Sequence, residues 1–125
     1  MKGFIAALLL LTAVSAHAEL PSASATVTTQ ALASGKPTVI DLGASTCIPC
    51  KQMAPILEEL ADTYRGKANV LFIDVREDRN AASRFGIQMI PTQIFFDTKG
   101  KEVKRHIGFM GKPDLVKELQ AAGLK

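Results

Sequence analysis

Two β-branched apolar runs, residues 38–42 (TVIDL) and 69–75 (NVLFIDV), enclose one long amphipathic stretch. Runs of that length and composition predict buried strands. Between them Met53, Ile56, Leu57, Leu60 and Tyr64 recur at i, i+3, i+4, i+7 and i+11, one face of a helix, with Glu58, Glu59, Asp62 and Arg65 toward the other side. The spacing predicts a helix from Ile48 to about Tyr64, kinked at Pro55 and ended by Gly66. Two strands joined by a helical crossover run parallel with a right-handed connection. Further along, 78–86 predicts a short helix closed by Gly86. Residues 92–97, 98–100 and 101–108 read as strand, turn and strand, an antiparallel hairpin. A last helix over 112–123 opens at Pro113 and closes at Gly123. The order is (α)βαβαββα, an α/β chain with a mixed central sheet flanked by helices on both faces.

The chain has 125 residues, room for one ordinary domain. Its first 18 residues lie outside that domain. They carry a charged start (Lys2), an apolar run from Phe4 to about Ala13, and small residues at Ala16 and Ala18. This is the layout of a secretory signal, with cleavage expected after Ala18. The weaker alternative is an uncleaved anchor, but the apolar run falls short of the ~20 residues that span a bilayer. Residues 1–18 are therefore read as signal peptide, 19–36 as a flexible leader with a short helix ending near Gly35, and 37–125 as the folded domain. The destination is the periplasm or the exterior, an oxidising space. The net charge of +3 is built from interspersed charges of both signs, which is no nucleic-acid signature. The basic cluster KEVKRH at 101–106 reads as a solvated strand.

Both cysteines, Cys47 and Cys50, lie in GASTCIPCKQMAP, where a strand and turn deliver the chain to the long helix. A metal site is short of ligands: only these two and His106 remain after the signal, and His106 reads as a surface histidine. A structural staple closing so small a loop removes little unfolded-state entropy. A redox pair fits best. Unpaired N–H groups and the dipole at a helix N-terminus favour a thiolate, and the thiolate is the nucleophile. Pro49 suits the first turn, one turn brings Cys50 back beside Cys47, and Lys51 adds a positive charge nearby. Asp41, inside TVIDL, is either an exposed alternating position or a buried carboxyl; if buried, desolvation disfavours its charged form.

The motifs C-x-P-C-K, A-P five residues after the second cysteine, and I-P-T before a hairpin occur here in the βαβαββα order. The chain resembles the thioredoxin family from about Pro37 to Leu124. The resemblance implies a thioredoxin fold and an exported thiol–disulfide oxidoreductase, acting as a reductant or electron relay. Cys47 would attack a substrate disulfide and Cys50 would resolve the mixed disulfide. Pro91 would be a cis-proline against the disulfide, and the Ile90 backbone would pair with the substrate as an added strand. Thr46, Ile48, Pro49 and Gly108 would border the substrate. Asp41 would be the buried acid beneath the disulfide, exchanging a proton with Cys50. No cofactor is implied, because the cysteine pair itself carries two electrons. The implied partners are protein disulfides and, for a reductant in an oxidising space, a membrane thiol donor; a monomer is expected.

The chain departs from the family pattern around this pair. Thr46 stands where tryptophan usually precedes the first cysteine, Gly43 replaces a second aromatic, and Ile48 replaces a small residue between the cysteines. Asp74 aligns with the family's lysine facing the buried acid, where two carboxyls would raise one pKa further, although a solvent-facing Asp74 fits equally. Two alternatives to the reductant stay open: a periplasmic thiol oxidase, and a non-catalytic module holding a metal or an apoprotein.

Overall fold

The structure, a computed structural model, describes Gly3 and residues 19–125. The expected signal peptide falls outside the described residues, apart from Gly3. The elements are α1 (Ala25–Leu32), β1 (Thr38–Gly43), α2 (Ile48–Thr63), β2 (Asn69–Asp74), α3 (Ala81–Phe85), β3 (Thr92–Phe96), β4 (Glu102–Ile107) and α4 (Lys112–Ala121). The four strands form one sheet in the order β2-β1-β3-β4. β1 runs parallel to β2 and antiparallel to β3, and β3 to β4 is the antiparallel hairpin. This is the mixed sheet expected from the helical crossover.

Helix packing on both faces explains the composition of β1. All six of its residues are buried, so it reads as a continuous apolar run rather than an alternation. Side chains along it still alternate between faces. Val39 joins Val70 and Phe95 against Met53, Leu57 and Leu60 of α2 and Leu115 and Leu119 of α4. Ile40 and Leu42 join Ile73, Ile94 and Phe96 on the opposite face, with Ala23 and Ala81, and with Leu32 and Phe85 packed alongside. Each leucine so buried stabilises the fold by about 2 kcal/mol relative to exposure. By the same alternation, Asp41 and Gly43 share a face with Val39, the face covered by α2.

The leader differs from its sequence reading as a flexible segment over 19–26. Ser22 forms an isolated parallel bridge with Phe72. The Ala23 amide donates to the Phe72 carbonyl at 2.7 Å, and Ser22 Oγ accepts from the Asp74 amide at 2.9 Å. Ser24 caps α1, its side chain accepting from the Val27 amide at 3.1 Å. These small, polar residues lack strand propensity, yet the unpaired edge of β2 offers them backbone partners. Backbone pairing with that edge, together with the two serine hydroxyls, orders them.

Candidate active site

The turn after β1 delivers Cys47 to the N-cap of α2 in extended conformation, and its Sγ accepts from the Cys50 amide at 3.3 Å. The cap satisfies one of the helix's orphan amides with the sulfur itself. Pro49 occupies the first turn, where its missing N–H costs nothing. One turn returns Cys50 to Cys47, and the two are joined in a disulfide with Cα atoms 5.1 Å apart. Cys50 is buried and Cys47 half-buried; Thr46, Ile48 and Lys51 are exposed, Ile48 at 73%. The Thr46 hydroxyl accepts a hydrogen bond from the Arg76 guanidinium, a contact across the chain that the sequence reading missed.

Asp41 is wholly buried. Burial pushes its carboxyl up from 3.8 to about 6, against the opposing effect of a hydrogen bond from Gln93. The Gln93 amide Nε2 donates to Asp41 Oδ1 at 2.9 Å, while Asp41 Oδ2 has no partner among the described residues. Gly43 follows on the same face of β1. A Cβ placed there would lie 3.1 Å from Cys50 Sγ and 3.3 Å from the Phe72 ring. The bare backbone at 43 thus lets Cys50 and Phe72 close over β1, beside the acid. A small, mostly apolar pocket opens next to Cys50, lined by Leu20, Ala44, Leu57 and Phe72 among others.

Asp74 is not the residue facing the acid. In the parallel register Phe72 stands opposite Asp41, and Asp74 stands opposite Gly43, one repeat further on. The Asp74 carboxylate accepts from the Arg76 amide at 2.8 Å and the Glu77 amide at 3.3 Å, closing the turn after β2. It does not face solvent, being 4% exposed. The sequence could not distinguish positions 72 and 74, because both point to the same face.

The Ile90–Pro91 bond is cis and Pro91 is buried. Neither the amide nor the carbonyl of Ile90 is hydrogen-bonded among the described residues. The Pro91 carbonyl accepts from the Gly108 amide at 2.8 Å. Gly108 adopts φ +98°, a conformation that favours glycine. Two residues before Pro91, Met89 is 61% exposed, and its carbonyl accepts from the Thr92 hydroxyl at 2.6 Å.

His106 is not the simple surface histidine expected. It is half-buried, and its Nδ1 lies 2.8 Å from Gln93 Oε1. The signal in the sequence was Gln93 itself, a polar residue inside an apolar strand. Among the described residues, no group of three or more His, Cys, Asp or Glu side chains is placed to hold a metal ion. Nor is any described helix long and apolar enough to cross a membrane.

A disulfide at a helix start above a buried acid is an arrangement for thiol–disulfide exchange. Comparisons with known proteins agree. The family model for thioredoxin matches residues 21–121. The chain is 43% identical to a thioredoxin of Staphylococcus saprophyticus over 82 residues, 66% of this chain and 78% of that one. It is 41% identical to a thioredoxin of Alicyclobacillus acidocaldarius over 90 residues, 72% of this chain and 85% of that one. Among solved structures, a mutant thioredoxin from Halobacterium salinarum superposes with a TM-score of 0.72 at 26% identity, covering 82% of this chain and 88% of that one.

Proposed function

The chain belongs to the thioredoxin family and is a thiol–disulfide oxidoreductase that needs no cofactor, and from that premise we propose that it is exported and reduces, or relays electrons to, protein disulfides. The observation that carries the reading is the Cys47–Cys50 disulfide at the N-cap of α2, on the face of β1 that holds a buried, protonatable Asp41. In the reduced protein, the Cys47 thiolate attacks one sulfur of a substrate disulfide, and the other sulfur leaves as a thiolate. Cys50 then gives its proton to Asp41 and attacks Cys47. The Cys47–substrate bond breaks, the Cys47–Cys50 bond forms, and the released substrate sulfur takes a proton from water. Two electrons pass from the cysteine pair to the substrate.

Asp41 suits that step because a carboxyl held near pH 6 can accept and return a proton close to neutrality. The unengaged backbone of Ile90 supports pairing with an extended substrate segment. Exposed Ile48 and Met89 offer apolar contact, and Thr46, Pro49 and Gly108 complete the border. Lys51 contributes positive charge near the pair. The layout of residues 1–18 supports export and cleavage after Ala18. In an oxidising compartment a membrane thiol donor would return the pair to the dithiol. A monomer suffices, since one chain carries every group the reaction uses.

The test is insulin-disulfide reduction together with the reduction potential against glutathione. Cys47→Ser abolishes reduction, and Cys50→Ser accumulates mixed disulfides. Full activity in Cys47→Ser would overturn the assignment. A potential well above the poise of the compartment would reverse the proposed direction and make the protein a thiol oxidase.

A further inference from the structure

Gln93 joins two titratable side chains through the middle of the sheet. In β3 it is the register partner of Asp41 on β1 and of His106 on β4. Its Nε2 donates to Asp41 Oδ1 at 2.9 Å, and its Oε1 lies 2.8 Å from His106 Nδ1. An amide oxygen has no hydrogen to give, so in this arrangement the proton sits on His106 Nδ1. Gln93 is fully buried. A carboxamide so placed is tolerated only when both its ends are satisfied, and here Asp41 takes one end and His106 the other. The chain of bonds therefore runs from the acid on the Cys50 face to a half-buried imidazole near the sheet edge.

We propose that His106 is a positioning residue for the redox step: by donating from Nδ1 to the Gln93 carbonyl it holds the carboxamide with its amino group toward Asp41, and so favours the carboxylate that takes the Cys50 proton. The inference rests on the role given to Asp41 above. The imidazolium ion can only donate, so it fixes that orientation. Neutral imidazole can donate or accept at Nδ1, and so tolerates a reversed amide whose carbonyl faces Asp41 and stabilises the protonated acid. Loss of the His106 donor therefore releases Gln93, weakening the hydrogen bond that opposes the desolvation of Asp41.

The surroundings leave this chain of bonds as the polar connection to the acid. β2 presents Phe72 opposite Asp41, and β3 presents Gln93. α2 brings Cys50 to this face of β1, with Lys51 exposed beside it, while Glu58 lines a separate groove with Pro55 and Asp62. His106 borders a groove with Lys104 of its own strand and Asp114, Lys117 and Glu118 of α4. These four carry charges of both signs in equal number, so they supply no net field of one sign.

The experiment is a 13C NMR titration of the Asp41 side-chain carboxyl in the oxidised protein, where neither cysteine titrates. His106→Leu moves the midpoint up by about half a unit to one unit, the worth of one hydrogen bond. Gln93→Met moves it at least as far. His106→Asn, which can donate to the Gln93 carbonyl but tolerates either orientation of the amide, moves the midpoint up by less than His106→Leu. Lys104→Gln, which removes a charge from the same groove, leaves it in place. An unmoved midpoint in His106→Leu overturns the proposal. So does a shift in His106→Asn as large as in His106→Leu, because charge rather than the hydrogen bond would then be responsible. Insulin reduction by the wild type is measured in parallel. Its absence removes the enzymatic role of Asp41, whereas normal reduction with an unmoved midpoint removes only the role of His106.

Discussion

Gly43 and Cys50 approach so closely that a side chain at 43 would be tightly pressed: a Cβ there would stand 3.1 Å from the sulfur and 3.3 Å from Cys50 Cβ. Gly43→Ala would gain about 0.4–1 kcal/mol by restricting the unfolded chain. It would lose about 1–3 kcal/mol by overpacking against Cys50 and the Phe72 ring. The steric effect wins, and urea unfolding of the oxidised protein is expected to show a net loss of about 1 kcal/mol. Phe72→Leu in the same background should recover part of it, since it removes one of the two side chains that a Cβ at 43 would press against.

Asp41 sets a pH dependence of stability with a definite sign. Its carboxyl is raised from 3.8 to about 6, chiefly by burial. The stabilisation from protonating it is therefore complete below pH 3.8 and is lost as pH rises through about 6. The loss amounts to about 3 kcal/mol, given about 1.36 kcal/mol per unit. Asp41→Asn removes this decline. The difference between the wild-type and Asp41→Asn curves, from urea unfolding at about pH 4 to 8, isolates it from the exposed carboxylates. Parallel curves would contradict the buried, protonatable acid.

Gly108 links the last strand to Pro91 through its amide while holding φ +98°. Nothing lies within 4 Å of a Cβ built there, so the cost of Gly108→Ala is backbone strain alone, about 1–2 kcal/mol. Because the strain falls beside Pro91, KM for a protein disulfide should rise while exchange with a small aromatic disulfide is unchanged. Equal effects on both substrates would place the damage at the cysteines instead.

Ser22 fastens the leader to the edge of β2 by accepting from the Asp74 amide at 2.9 Å. Ser22→Ala leaves that amide without its partner and should cost about 1 kcal/mol. Hydrogen exchange at Asp74 and Ala23 should quicken, with the β1 core unaffected. Unchanged exchange at both would mean that the leader is held by other contacts.

Periodicity made most of the architecture legible. Met53, Leu57 and Leu60 announced the buried face of α2, and the two β-branched runs announced parallel neighbours in the sheet. What escaped was set by register. Phe72 and Asp74 point to the same face, so only the pairing of β1 with β2 tells which of them meets Asp41. Gln93 and His106 become partners only once β4 folds back on β3. The leader has no apolar pattern of its own, and its place is decided by backbone groups that β2 leaves unpaired. Side-chain pattern names elements, whereas long-range hydrogen bonding decides which polar residues meet.

Cys47 fills two offices with one atom: its sulfur caps α2 and is also the redox centre. A hydroxyl oxygen is a preferred N-cap acceptor but cannot form a disulfide. Serine at position 47 is therefore a near-ideal chemical silence, leaving the start of the helix intact while removing the electrons. A defect in that variant reports on chemistry rather than on folding, which alanine at the same place could not guarantee.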